Sequence, residues 1–138
     1  MKSVLYCQHV LGIGHFFRSL EICRALHRHR VILVTGGPRV AAELPGHVRE
    51  VRLPMLAMDP DFKELRPAPG NDIDTIRHAR REQLRGLFEA ERPDLLLLEL
   101  YPFGRKAFRF EIDPLLEDMA NGRLHRCCCC YKERGRGY

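Results

Sequence analysis

The sequence predicts an α/β fold in which parallel strands alternate with helices in a doubly wound sheet. Three observations predict it. Short apolar runs alternate with longer stretches of helical periodicity from Val4 to Met119. A loop containing Gly12 and Gly14 joins the first run to the first helical stretch, and Leu95-Leu96-Leu97-Leu98 reads as a central strand covered on both faces. With 138 residues, 45% of them hydrophobic, the chain is long enough to bury one real core.

Taken in order, Val4-Leu5-Tyr6-Cys7 is the first strand. Phe16, Leu20, Cys23 and Leu26 then recur at helical spacing, with Arg18, Glu21, Arg24 and Arg28 between them, which predicts an amphipathic helix over 15–29. Val31-Ile32-Leu33-Val34 is the second strand and stops at the turn cluster Gly36-Gly37-Pro38. A short helix is expected around Val40 to Leu44, and a third strand over about Val48 to Leu53. Residues 54–71 hold Pro54, Pro60, Pro67, Pro69 and Gly70 and read as a long loop. Asn71 or Asp72 can cap the next helix, whose stripe is Ile73, Ile76, Leu84, Leu87 and Phe88 and which Pro93 ends. The leucine run is the fourth strand, and a helix from about Arg105 to Met119 closes the pattern.

Right-handed crossovers give these four strands the spatial order 3-2-1-4, with room for an edge strand beyond the fourth. Ligands bind such sheets in the crevice beyond the carboxyl ends where the order reverses, here between strands 1 and 4. Those ends carry Gly12-Ile13-Gly14-His15 and Glu99-Leu100-Tyr101-Pro102. Glycines 12 and 14 let a ligand approach the backbone, and the amides opening the next helix favour an anion. Phe17 stands where a dinucleotide fingerprint needs its third glycine, and no Gly-Lys-Ser/Thr marks a phosphate loop. A plain strand-to-helix turn with a solvent-facing His15 fits this spacing equally well.

The charge is uneven. Of the net +5, residues 123–138 supply +4, so 1–122 is nearly balanced with 18 basic and 17 acidic residues, and the sequence gives no case for a nucleic-acid partner. Four of the six cysteines form the run Cys127 to Cys130. Adjacent side chains on an extended chain point to opposite faces, unlike the spaced Cys pairs of zinc sites, and no metal site is expected. Cys7 and Cys23 read as small core residues. Arg77-His78-Ala79-Arg80-Arg81 reads as a solvated helix face. No apolar run reaches the roughly 18 residues of a membrane span, and no signal peptide is legible at Met1-Lys2-Ser3, so a cytoplasmic location with at most peripheral membrane contact is expected.

The stretch Tyr6-Cys7-Gln8-His9-Val10-Leu11-Gly12-Ile13-Gly14-His15, followed by Arg18-Ser19-Leu20, resembles the opening of GT-B glycosyltransferases. The likeness is greatest to a bacterial branch of predicted glycosyltransferases related to the peptidoglycan N-acetylglucosaminyltransferase. Arg92-Pro93-Asp94, the leucine run and Glu99-Leu100-Tyr101-Pro102-Phe103-Gly104-Arg105 are similar to that branch's motif at the end of the fourth strand. The resemblance covers about residues 1–120 and implies a Rossmann-like, acceptor-binding amino-terminal half of a GT-B fold. It implies hexosyl transfer from a nucleotide sugar, the co-substrate, to a hydroxyl of an acceptor such as a lipid-linked molecule or a glycan, with no further cofactor.

By position His15 matches the family's catalytic base. Glu99 is the candidate to orient it, because strands 1 and 4 are neighbours. Gly12, Gly14, Gly104 and Arg105 are the candidates for acceptor or phosphate binding. Glu99 as a helix cap and Arg105 as a solvated helix residue remain open. His9, six residues before His15, does not make a metal pair with it. The family continues into a second lobe that binds the donor, whereas composition here breaks near Gly122. Residues 1–122 are therefore expected to form the acceptor domain, inactive alone, and 123–138 an atypical, basic, Cys-rich tail, out of frame with the family. Two readings compete: a non-catalytic module holding an anion on the glycine loop, and a thiol or metal-binding protein acting through its tail.

Overall fold

The computed structural model describes residues 1–9, 13–59, 61, 64–99 and 106–131. The elements are β1 (Lys2–Tyr6), α1 (Gly14–Ala25), β2 (Arg30–Thr35), β3 (Val48–Arg52), β4 (Leu56–Met58), β5 (Leu65–Pro67), α2 (Ile73–Glu91), β6 (Leu95–Leu98), α3 (Arg109–Ala120) and β7 (Cys128–Tyr131). A 3-10 turn, Lys106–Phe108, leads into α3. The main sheet has the order β3-β2-β1-β6-β7, and each pairing in it is parallel. The four predicted strands thus lie in the predicted order, a Rossmann-like arrangement, with β7 on the edge beyond the fourth.

Alternation along the strands divides the core into two layers. Val4, Tyr6, Ile32, Val34, Leu96 and Leu98 pack with Leu84 and Phe88 of α2 and with Ile112 and Leu115 of α3. Leu5, Cys7, Val31 and Leu33 pack with Phe16, Leu20 and Cys23 of α1. Cys7 and Cys23 are core residues, and burial pushes the Cys23 thiol up to about 11. β6 is covered less evenly than a fully buried strand: Leu96 and Leu98 are buried, whereas Leu95 and Leu97 are half-buried.

Three expectations are corrected. Residues 40–44 form no helix. Between Pro38 and Pro45 the segment is too short to repay helix nucleation, and Val40, Ala42 and Leu44 instead pack at two-residue spacing against the α1 layer. Residues 54–71 contain a hairpin in which β4 and β5 pair antiparallel and bury Leu56 and Leu65 in the larger layer. α1 ends at Ala25, four residues before the expected end, because the chain must turn through Leu26–His29 to start β2; the Leu26 amide donates back to Ile22 and Cys23.

α2 follows its sequence signals. Asp72 accepts from the Thr75 amide at 3.0 Å, a bond that lowers its carboxyl pKa, and Arg92 ends the helix at a left-handed φ of 45°. Beyond the composition break at Gly122 the chain stays with the fold as far as Tyr131, the last described residue. Leu124 is buried in the larger layer, and β7 lies in register with β6 from Leu95↔Cys128 to Leu98↔Tyr131. Among the described residues no helix is long and apolar enough to cross a membrane.

Candidate active site

The site forms where β1 and β6 leave the sheet side by side. Their register, Tyr6↔Leu98, puts the exits level, and the Glu99 amide donates to the Tyr6 carbonyl at 3.2 Å. Glu99 is the first residue past β6. His15 is the second residue of α1, whose first turn rises from the loop after β1. Two crossovers of different length therefore deliver one side chain each to the same place, as a topological switch point requires.

There His15 Nδ1 lies 2.7 Å from Glu99 Oε1. The carboxylate side chain is only 8% exposed and the imidazole 35% exposed, so the acid sits beneath and the ring meets solvent. A carboxylate only accepts, so Nδ1 carries the proton in this contact and neutral His15 is left with its lone pair on Nε2. Among the described residues nothing engages Nε2. Below the pair lies Cys7, fully buried, with Sγ 3.7 Å from the His15 carbonyl and 4.0 Å from Glu99 Oε2. Among the described residues the Glu99 carboxylate is thus engaged by the imidazole and by the Cys7 thiol.

The start of α1 has a second property. Ile13 at the cap position offers no side-chain bond and the first turn has no acid, so among the described residues no side chain caps its amides, the kind of helix start that favours an anion. A Cβ built on Gly14 meets nothing within 4 Å, so the space over this turn is open. Ile13 and Phe17 are exposed beside it. Of the other predicted contributors, Gly12, Gly104 and Arg105 lie outside the described residues, as do Val10, Leu11 and Leu100 to Phe103. His9 is engaged elsewhere: it is buried, its Nε2 meets the Pro38 carbonyl, and its ring stands edge-on to Phe16.

Two glycines the sequence marked only as a turn are required by close packing. A Cβ on Gly36 would lie 2.5 Å from Arg80 Nη1 and from Gln8 Oε1, and one on Gly37 would lie 1.9 Å from the His9 carbonyl oxygen. The contact with Arg80 exposes a larger correction. Arg80 does not belong to a solvated face; it is fully buried and paired with Glu111 of α3, also fully buried. The signal was present, because 80 falls in the stripe between Ile76 and Leu84, and 111 in the stripe of Phe108, Ile112 and Leu115. A cavity of about 340 Å³ lined by Glu64, Leu65, Ile73, Arg77 and Ala107 lies where α2 begins.

No family model matches the sequence, and no curated protein matches it either. Solved structures share the fold. The chain is similar to the apo form of UGT2 from Phytolacca americana, a glycosyltransferase of the UGT type, at 16% identity and a TM-score of 0.50. The match covers 88% of this chain and 27% of that one, so the chain spans about a quarter of the length of UGT2. It is also similar to the carboxyl-terminal domain of a hydrogenase from Pyrococcus furiosus at 15% identity and a TM-score of 0.51, over 94% of this chain and 88% of that one.

Proposed function

We propose that this chain is the acceptor-side lobe of a GT-B glycosyltransferase, in which His15 is the catalytic base and Glu99 holds it in the working tautomer. The observation that carries this reading is the 2.7 Å contact between His15 Nδ1 and Glu99 Oε1 at the carboxyl edge of the sheet, with the Nε2 lone pair unengaged among the described residues. In the proposed step the acceptor hydroxyl gives its proton to Nε2 as its oxygen bonds to the anomeric carbon. The bond from that carbon to the nucleotide diphosphate breaks, and the diphosphate leaves with the electron pair. The resulting imidazolium is stabilised by the Glu99 carboxylate, and the uncapped amides of α1 favour the developing negative charge. The likeness to UGT2 supports the lobe assignment through the fold. The nucleotide sugar would be held by a second lobe of the kind the GT-B resemblance implies.

The test uses a polypeptide in which this chain is followed by a nucleotide-sugar-binding lobe. General base catalysis contributes roughly 10²–10⁴-fold, so His15→Ala should lower turnover by at least about 100-fold while acceptor KM changes little. A His15→Ala enzyme with parental turnover would refute the assignment. A second reading, a non-catalytic anion-binding module, is favoured by the uncapped start of α1 and by the hydrogenase domain, which carries the same fold in a protein of another activity. Calorimetric titration of the chain alone separates the two: saturable micromolar binding of phosphate or diphosphate supports the module, and its absence supports the lobe.

A further inference from the structure

We infer that Arg80 and Glu111 are positioning residues for the His15–Glu99 pair, fixing from inside the core the two crossovers that carry it. The inference rests on reading that pair as the acid and base of the site. Arg80 is held on α2 with no exposed surface, and its five N–H groups each have an acceptor. Nε donates to Glu111 Oε2 at 2.8 Å and Nη2 to Glu111 Oε1 at 2.8 Å, the parallel fork of a bidentate pair. Nη2 also donates to Gln8 Oε1 at 2.6 Å, and Nη1 donates to the carbonyls of Pro54 at 2.7 Å and Gly36 at 3.4 Å. The guanidinium carbon stands 5.4 Å from the centre of the Phe108 ring. One side chain thus ties the exits of β1, β2 and β3 to α3.

Two connections run from this network to the site. On one side Gln8 follows Cys7, and its amide donates to the Cys7 carbonyl at 3.1 Å, while Cys7 Sγ touches the His15 carbonyl and the Glu99 carboxylate. On the other, the Tyr6 hydroxyl donates to Glu111 Oε1, and the Tyr6 carbonyl accepts from the Glu99 amide. Burial first, and then the Glu111 charge, pushes the Tyr6 hydroxyl well above its ordinary pKa, so it remains a donor. Tyr6 and Cys7 point to opposite faces of the sheet, and each reaches one of the two charged pairs. A buried pair with every donor satisfied has one low-energy arrangement, which is what a reference point for two loops needs.

The experiment reads the ring nitrogens of His15 by ¹⁵N NMR, because the ratio of Nδ1–H to Nε2–H neutral tautomer reports the contact with Glu99 and not global stability. The variant Tyr6→Phe/Arg80→Met/Glu111→Leu replaces the network by apolar groups of similar volume, a change that buried ion pairs tolerate. The Nδ1–H to Nε2–H ratio should fall several-fold, toward that of Glu99→Gln. A folded triple variant with the parental ratio would overturn the inference. If the triple variant does not fold, Gln8→Leu/Tyr6→Phe removes the side-chain links of both connections while keeping the Arg80–Glu111 pair; a reduced ratio supports the inference, and an unchanged one overturns it. Turnover is not read, so the transferase reading stands or falls separately.

Discussion

The last residue of β1 and the one after it look onto two charged pairs on opposite faces of one sheet. Tyr6 meets Arg80–Glu111, where both side chains are wholly buried; Cys7 meets His15–Glu99, where the imidazole is about one-third exposed. Every N–H of the arginine has an acceptor, whereas the histidine keeps one nitrogen unengaged among the described residues. Charged groups withdrawn from water need all their partners to offset desolvation, so the closed pair has no capacity left for a ligand. The open pair is fixed on one side by its carboxylate and offers the other side to whatever enters. Scaffold and chemistry are thereby separated by the thickness of a strand.

The most drastic way to break this contrast is Arg80→Ala, which strands Glu111 without its cation. Removing one member of a buried pair costs about 3–5 kcal/mol, a large part of the stability of a domain this size, so the urea midpoint should collapse. A loss below about 1 kcal/mol would mean that the closed pair is not a scaffold. Gly37→Ala comes next. Its Cβ would meet the backbone carbonyl of His9 rather than a side-chain tip that can swing away, and a cost of about 1–3 kcal/mol is expected in the same assay. Gly36→Ala should cost less if Arg80 and Gln8 can shift.

Glu99→Gln should change stability by less than about 1 kcal/mol, since its partner is partly solvated, while redistributing the His15 tautomers. A stability loss as large as that of Arg80→Ala would erase the distinction between the two pairs. The smallest effect is expected at the start of α2, the helix that delivers Arg80. Asp72 has a lowered pKa in the folded chain because it accepts from Thr75. Its contribution is therefore present above the ordinary Asp range and is lost as pH falls through the lowered folded value. Thermal melts of Asp72→Ala and the parent should differ at pH 7 and converge in acid; a gap that persists there would assign the effect to something other than the carboxylate.

The strand order and the meeting of His15 with Glu99 were legible because both follow from local signals plus one topological rule: short apolar runs, a glycine loop, and reversal after the third strand. The hairpin at 56–67 was hidden because its strands are three residues each, too short for alternation to register, and proline-rich. The Arg80–Glu111 pair was hidden for a different reason. Each residue sits on an apolar stripe of its own helix, which marks it as buried, but Arg80 also lies in a run of basic residues that reads as solvent-facing. Only the partner on another helix, 31 residues away, makes burial affordable. β7 was masked by composition, since four cysteines carry no alternation, yet its backbone pairs with β6 residue by residue.

The placement of β1 also sets an order of events during synthesis. One edge of β1 is covered by Arg30–Val34, made soon after it, but the other must wait for Leu95–Leu98. With roughly 60 residues between those partners, translation at about 5–20 residues per second leaves that edge unpaired for several seconds on the ribosome. During that interval Leu5 and Tyr6 lie along an open strand edge that could template pairing with another chain. The emerging polypeptide is thus most vulnerable to mispairing just before its fourth parallel strand appears, and a chaperone that covers the first 35 residues would act in that window.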